Sequence, residues 1–339
     1  MHPEMSLVIL TVLAGAGQGL FIFLVGGDMR AAAAGGLPGD VLVAGSAVAL
    51  MLTVAGTLAS FFHLTHPERG WKAMLQWRKS WLSREVVSLP AFQGLVALYG
   101  IAAYAGYPVK ARMLVGIAGC VVAAVLFISS GMVYAKVRFI REWANAYTPL
   151  NFIFTGLSAG SAIALSVMEL SVADTVITLA LLRAALGVIA AGGIIKLLSL
   201  ISNRRIYSPL SVQTALGVNS STVRLMDFGS SYDHYNTKEY NYSKHRERHG
   251  SICIFVMTAL YAGPFIALMA DYMPLIRGEN GTAAPAVAAV MMLGYFAERW
   301  FFFADANHVQ NLYYGNFMVK QGANPLLQAA KRGTPVPKR

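Results

Sequence analysis

"DVLVAGSAVALMLTVAGTLASFFHLTHPERGWK", Asp40 to Lys72, is an apolar run that ends in two histidines and then turns basic. From Val41 to Phe62 it carries no charged side chain. Crossing the hydrocarbon core of a bilayer as a helix takes roughly 20 apolar residues. The run also lacks the strict alternation of a barrel strand, which has one face toward lipid and one toward a lumen. It reads as a transmembrane helix. The same measure finds eight spans along the chain, at about 5–27, 40–63, 86–106, 112–135, 149–170, 174–201, 250–273 and 283–306. The fold class expected is all-α, a polytopic membrane protein built as a bundle of eight transmembrane helices. Pro149, Pro108 and the Pro38-Gly39 pair fall at span ends, where a helix tolerates a break.

Composition agrees. Of 339 residues, 56% are hydrophobic and only 13% charged, with a mean hydropathy of +0.54. A soluble domain would be about a quarter charged. The net charge of +11 therefore does not argue for nucleic acid, because so few charges cannot build a continuous basic face. Cys120 and Cys253 both sit in apolar runs, without C-x-x-C spacing, so a disulfide framework or a cysteine-held cluster is not expected in this chain. "MHPEMSLVILTVLAG" lacks a basic leader and a small-residue cleavage site, and reads as a retained first helix.

Eight spans put both termini on one side. The connections on that side and the C-terminal tail hold 20 of the 27 lysines and arginines. The opposite side holds Arg30, Lys110, Arg112 and Arg277. Cations collect in cytoplasmic loops, which predicts cytoplasmic termini and a multi-pass protein of a bacterial inner membrane. Residues 1–306 form the membrane domain, including a loop at 202–249, and 307–339 a cytoplasmic tail.

Ionisable groups at membrane depth are costly and need a reason. His63 lies at the inner end of the second span. Arg84 and Glu85 open the third, "WLSREVVSLPAF". Glu298 and Arg299 fall in the inner half of the last, with Asp305 and His308 at its exit. If these helices are neighbours, His, Glu, Arg and Asp meet at one level near the cytoplasmic interface. Such a set suits a quinone head group, whose carbonyls need donors and whose reduction takes up protons. Imidazole does both jobs near neutral pH. Phe61, Phe62, Trp71, Trp300 and Phe301 are available as ring walls.

Plainer accounts stand beside each of these. A histidine at a helix end is often only interfacial, His66 before Pro67 belongs to the loop, and Arg84 or Arg299 can snorkel. Glu298 and Arg299, adjacent on one helix, are expected to need partners from other helices. Arg183 is expected to pair with Glu169 or Asp174, and Lys196 to snorkel inward. The glycines of "AGAGQGL", Gly15, Gly17 and Gly19, read as a helix-packing face. In the long loop, Tyr232, His234, Tyr235, Lys238, Tyr240, Tyr242 and Arg246 make a mixture typical of interfaces, and a docking surface for a cytoplasmic partner is expected there.

These motifs together resemble the dimethyl sulfoxide reductase anchor-subunit family. There, A-S-x-x-H-L at a helix end (here Ala59, Ser60, His63 and Leu64) is followed by S-x-E opening the next helix (Ser83 and Glu85). "GYFAERWFFFAD", 294–305, and "HYNTKEYNY", 234–242, are similar to the family's last helix and its loop before helix seven. The resemblance implies the membrane subunit of a molybdopterin oxidoreductase that exchanges electrons with a quinone, ubiquinone or menaquinone. Molybdopterin and the iron–sulfur clusters would lie in two partner subunits only. By that carry-over His63 is the quinone-site histidine and Glu85 a proton conduit or orienting group. Arg299 would steady the negative charge of a half-reduced ring, with Arg84, Glu298 and Trp71 around it. The family's reductases dock their partners on the periplasmic side, whereas the charge count here puts the docking face in the cytoplasm. That departure matches the branch of quinone-linked sulfite dehydrogenases. Three alternatives remain open: an anchor of a sulfoxide, thiosulfate or polysulfide reductase fed from quinol, a b-type cytochrome with haem held by His63 and His249 or His308, and a small-molecule transporter.

Overall fold

The computed structural model describes residues 3–171, 175–206, 217, 248–276 and 283–308. All eight spans are helical, and among the described residues there is no strand. They are α1 (Met5–Arg30), α2 (Gly39–Ser60), α3 (Trp81–Tyr104), α4 (Val109–Ala135), α5 (Tyr147–Leu170) and α6 (Thr175–Arg204), followed by α7 and α8. Helix α7 is in three pieces, α-helical at His249–Met257 and Gly263–Ile276 with one π turn between them at Thr258–Ala262. Helix α8 is Ala284–Ala304. Helix α3 begins five residues before the expected 86, because Ser80 caps it, its hydroxyl accepting from the Ser83 amide. Pro90 falls inside α3, and Pro149 sits in the first turn of α5, where a missing N–H costs nothing.

The π turn has a cause. Pro264 follows it after one residue, Gly263, and a proline in a helix clashes with the carbonyl four residues earlier, here that of Leu260 within the turn. One wide turn relieves that conflict and turns Tyr261 inward, where its hydroxyl lies 3.2 Å from Thr155 Oγ1.

Helix α1 is the centre of the bundle, packed against α2, α4, α5, α6 and α8. Its contact with α5 is backbone on backbone. A Cβ on Gly19 would collide with the Gly156 carbonyl, and one on Gly160 with the Leu20 amide. A Cβ on Gly17 would stand 2.7 Å from Thr53 Cγ2 and 2.8 Å from the Ala49 carbonyl of α2. The small-residue run is therefore a packing face, as its spacing implies. Without a hydrophobic drive between helices in lipid, such close van der Waals approach is what holds them.

On the side away from the termini, Asp28 ties three elements together. Arg112 clasps it with two hydrogen bonds, Nε to Oδ2 at 2.9 Å and Nη2 to Oδ1 at 2.7 Å. Tyr99 OH donates to Oδ2 at 2.7 Å and the Leu37 amide to Oδ1 at 2.8 Å. Arg112 is thus not the loop cation that a count of charges by side makes it, but the buried partner of a buried carboxylate.

Candidate functional site

Helices α2 and α3 are held in register by Gln93, whose amide donates to Thr57 Oγ1 at 2.8 Å. Counting toward the terminus side from that bond, His63 lies six residues down one helix and Glu85 eight down the other. At about 1.5 Å per residue the two are within roughly one turn of the same level. They face differently. His63, on the 3-10 turn Phe61–His63 that finishes α2, sits half-buried beside the start of α1, within electrostatic reach of Glu4. Its Nδ1 is buried and has no hydrogen-bond partner among the described residues. Glu85 turns to α4, where Ser130 Oγ donates to its Oε1 at 2.6 Å. Beyond Glu85 is a cavity of about 10 Å³ lined by Thr11, Gln18, Ser130, Phe152 and Tyr295.

Glu298 and Arg299, both fully buried, come from α8. Lys196 of α6 reaches Glu298, Nζ to Oε1 at 2.5 Å, so it does not snorkel. Arg299, expected to need a partner from another helix, makes its ion contact with its own neighbour Glu298. Arg299 Nε lies 2.6 Å from Glu298 Oε2. Two long side chains one residue apart can bend their tips together even though their stems diverge. The Arg299 guanidinium rests 3.9 Å from the centroid of Phe152 and within 5.6 Å of those of Tyr295 and Phe302. Tyr134, stacked on Phe152, feels the charges of both Glu85 and Arg299. A cation over ring faces in a dry interior gains from the negative potential of each face.

Arg84 and Trp71 stand apart from this interior. One residue from Glu85, Arg84 points about 100° away around the helix. It lies over the Trp81 ring at 4.1 Å and donates to the carbonyls of Trp77 and Arg78, pinning the loop that carries the 3-10 segment Pro67–Gln76. Trp71 on that segment is 59% exposed and Phe62 is 88% exposed, whereas Phe301 is buried against His249. His249 has one ring nitrogen 3.5 Å from Asp305 and the other 3.7 Å from Cys253 Sγ, and His308 lies edge to face with Phe139. Arg183 meets Tyr272, its Nε donating to the hydroxyl at 3.1 Å, while Glu169 accepts from the Ala284 amide at the start of α8. The tyrosines and cations of the long loop, Tyr232 to Arg246, lie outside the described residues.

Sequence reading misses the roles of Lys196, Ser130, Gln18, Asn151 and Tyr295. A signal exists for the first: Lys196 and Glu298 carry opposite signs at comparable depth from helix ends on one side.

A bundle of eight apolar helices with charged and amide side chains gathered inside one end defines a polytopic membrane protein with an internal polar site. Residues 1–233 match the family of DMSO reductase anchor subunits (DmsC), and the chain belongs to that family. It is also similar to a subunit of the sulfite dehydrogenase of Allochromatium vinosum, with 35% identity over 333 residues, covering 93% of this chain and 99% of that protein.

Proposed function

We propose that this chain is the quinone-reactive anchor of a sulfite-oxidising complex in a bacterial cytoplasmic membrane. The observation that carries the substrate is its end-to-end similarity to a sulfite dehydrogenase subunit. A molybdopterin subunit would oxidise sulfite, taking two electrons, and an iron–sulfur subunit would pass them to a quinone held in this chain. Both partners dock on the side of the termini, and the excess of Lys and Arg on that side supports a cytoplasmic docking face.

The residues present fit a quinone. A quinone carbonyl seeks a donor, and His63 offers a buried ring nitrogen with no protein partner among the described residues. Phe61 and Phe62 supply ring faces beside it, and Glu85, held by Ser130 at the same level, supplies protons toward that site. Reduction of a quinone bound there to quinol would take two electrons from the iron–sulfur partner and two protons, one on each ring oxygen. His63 would hold its carbonyl, and Arg299 would lend positive potential from the interior.

Purification of tagged chain from native membranes in mild detergent tests this reading. Molybdenum and iron should arrive with two large subunits lacking export signals, and the complex should reduce a quinone on addition of sulfite. Partners bearing export signals would overturn the orientation. A metal-free chain purified alone would overturn the anchor assignment to this complex.

A further inference from the structure

Two small cavities, each lined by both polar and apolar side chains, lie near the Lys196–Glu298–Arg299 array. The first is the space of about 10 Å³ next to Glu85. The second, about 20 Å³, is lined by Glu142, Asn151, Lys196, Ser199, Asn203 and Asp305 at the terminus-side ends of α5, α6 and α8. A water needs about 10–15 Å³ and two to four polar partners. Each space is of that order, and each is lined by a buried amide side chain, Gln18 in the first and Asn151 in the second. Gln18 Oε1 in the first and Asn151 Oδ1 in the second have no hydrogen-bond partner among the described residues, and both side chains are more than nine-tenths buried.

The array joins the two spaces. Lys196 lines the second cavity and holds Glu298. Arg299 touches Glu298 and lies over Phe152, which lines the first cavity, and over Phe302, which lines the second. Its Nε is taken up by Glu298, while Nη1 and Nη2 lack a hydrogen-bond partner among the described residues. An ion cluster that served only packing would close its own hydrogen bonds, because each orphan in a dry interior is destabilising. Here the orphans point to water.

We propose that these cavities and the array between them form a proton path from the docking side to Glu85. The inference rests on the quinone reading above. Making a quinol takes two electrons, from the iron–sulfur partner, and two protons, one to each ring oxygen; the path brings protons and carries no electrons. Glu142 and Asp305 form its mouth. Water held by Asn151 and Lys196 exchanges protons with Glu298. Arg299 stays charged throughout and orients water toward the first cavity. There a water held by Gln18 Oε1 gives a proton to the Ser130 hydroxyl as that hydroxyl passes its own to Glu85. Once partner subunits cover the terminus side, such an internal route keeps Glu85 in contact with the aqueous phase.

The test uses the intact complex. Asn151→Leu and Gln18→Leu fill one cavity each without touching an ion. Each should lower kcat about tenfold or more, the scale on which proton transfer contributes. Quinone KM should stay within about twofold, and the rate ratio between H2O and D2O should rise. Asn151→Asp should restore most of the rate. Unchanged kcat in an intact complex would overturn the path, as would a loss equal in H2O and D2O accompanied by a raised KM. His63→Ala separates the two ideas. If it leaves quinone turnover intact, the quinone site itself is misplaced; if it abolishes turnover while both cavity variants run normally, only the path fails.

Discussion

Lys196 Nζ and Glu298 Oε1 stand 2.5 Å apart in the interior of the bundle, joining α6 to α8 across 102 residues of sequence. Both side chains are almost wholly removed from solvent. Their mutual attraction offsets a large desolvation cost, so the pair is sensitive to loss of one member. Glu298→Ala leaves Lys196 and Arg299 as neighbouring buried cations and should destabilise the chain by about 3–5 kcal/mol. Lys196→Met combined with Glu298→Gln removes two opposite charges together and should cost much less than the sum of the single changes. Thermal unfolding of the detergent-solubilised protein checks both, and additive effects would show that the two residues do not act as a pair.

On the opposite side, Asp28 accepts four hydrogen bonds, two from Arg112 and one each from Tyr99 and the Leu37 amide. Asp28→Ala abandons a buried arginine and should destabilise by about 3–5 kcal/mol. Gly36→Ala should also destabilise. Its φ of +87° suits glycine, and a Cβ there would run into the Arg112 guanidinium and the Asp28 carboxylate. These groups lie a membrane's depth from His63. Quinone turnover per folded molecule should therefore be unchanged in whatever fraction of Gly36→Ala protein folds, as measured by activity normalised to monodisperse protein.

Gly19 and Gly160 allow α1 and α5 to touch backbone to backbone. Gly160→Val adds a branched side chain where even one methyl group has no room. Because the helices remain apolar, insertion into the membrane should proceed, but the bundle should fail to close. Protease digestion of membranes should then cut inside the variant at sites protected in the parent chain, while both resist alkaline extraction.

These features are unequally legible in the sequence. The eight helices follow from one-dimensional information, since length and apolarity alone satisfy the bilayer. The glycine face of α1 is legible for the same reason, because close packing leaves small residues at helical spacing. The Lys196–Glu298 pair is not, as it depends on which helices are neighbours, and no periodicity within α6 or α8 records that. Arg84 and Glu85 show the other limit. Both open α3 and both suit a site by residue type, yet the helix turns one toward Ser130 and the other over Trp81. Only packing tells the two faces apart. Arg112 shows a third, where a cation that counts as a topology marker is the partner of a carboxylate 84 residues away. Removing it from the count sharpens the charge bias and leaves its sign unchanged.

That difference of face makes the last prediction. His63→Ala takes away a buried donor with no protein partner among the described residues, so its loss leaves no orphan elsewhere and should cost little stability. If His63 binds the quinone, kcat/KM for quinone should fall about tenfold to a hundredfold, as removal of one well-placed hydrogen bond allows. Arg84→Ala is the control. Arg84 sits at the same end of α3 but bonds outward to the Trp77 and Arg78 carbonyls, so its loss should loosen the basic loop and leave kcat/KM for quinone within about twofold. Steady-state sulfite-dependent quinone reduction by the two variant complexes, compared at equal molybdenum content, decides the matter. Equal loss in both would mean that the loop and not His63 shapes the site. Loss in Arg84→Ala alone would move the quinone to the exposed aromatic surface around Trp71 and Trp77.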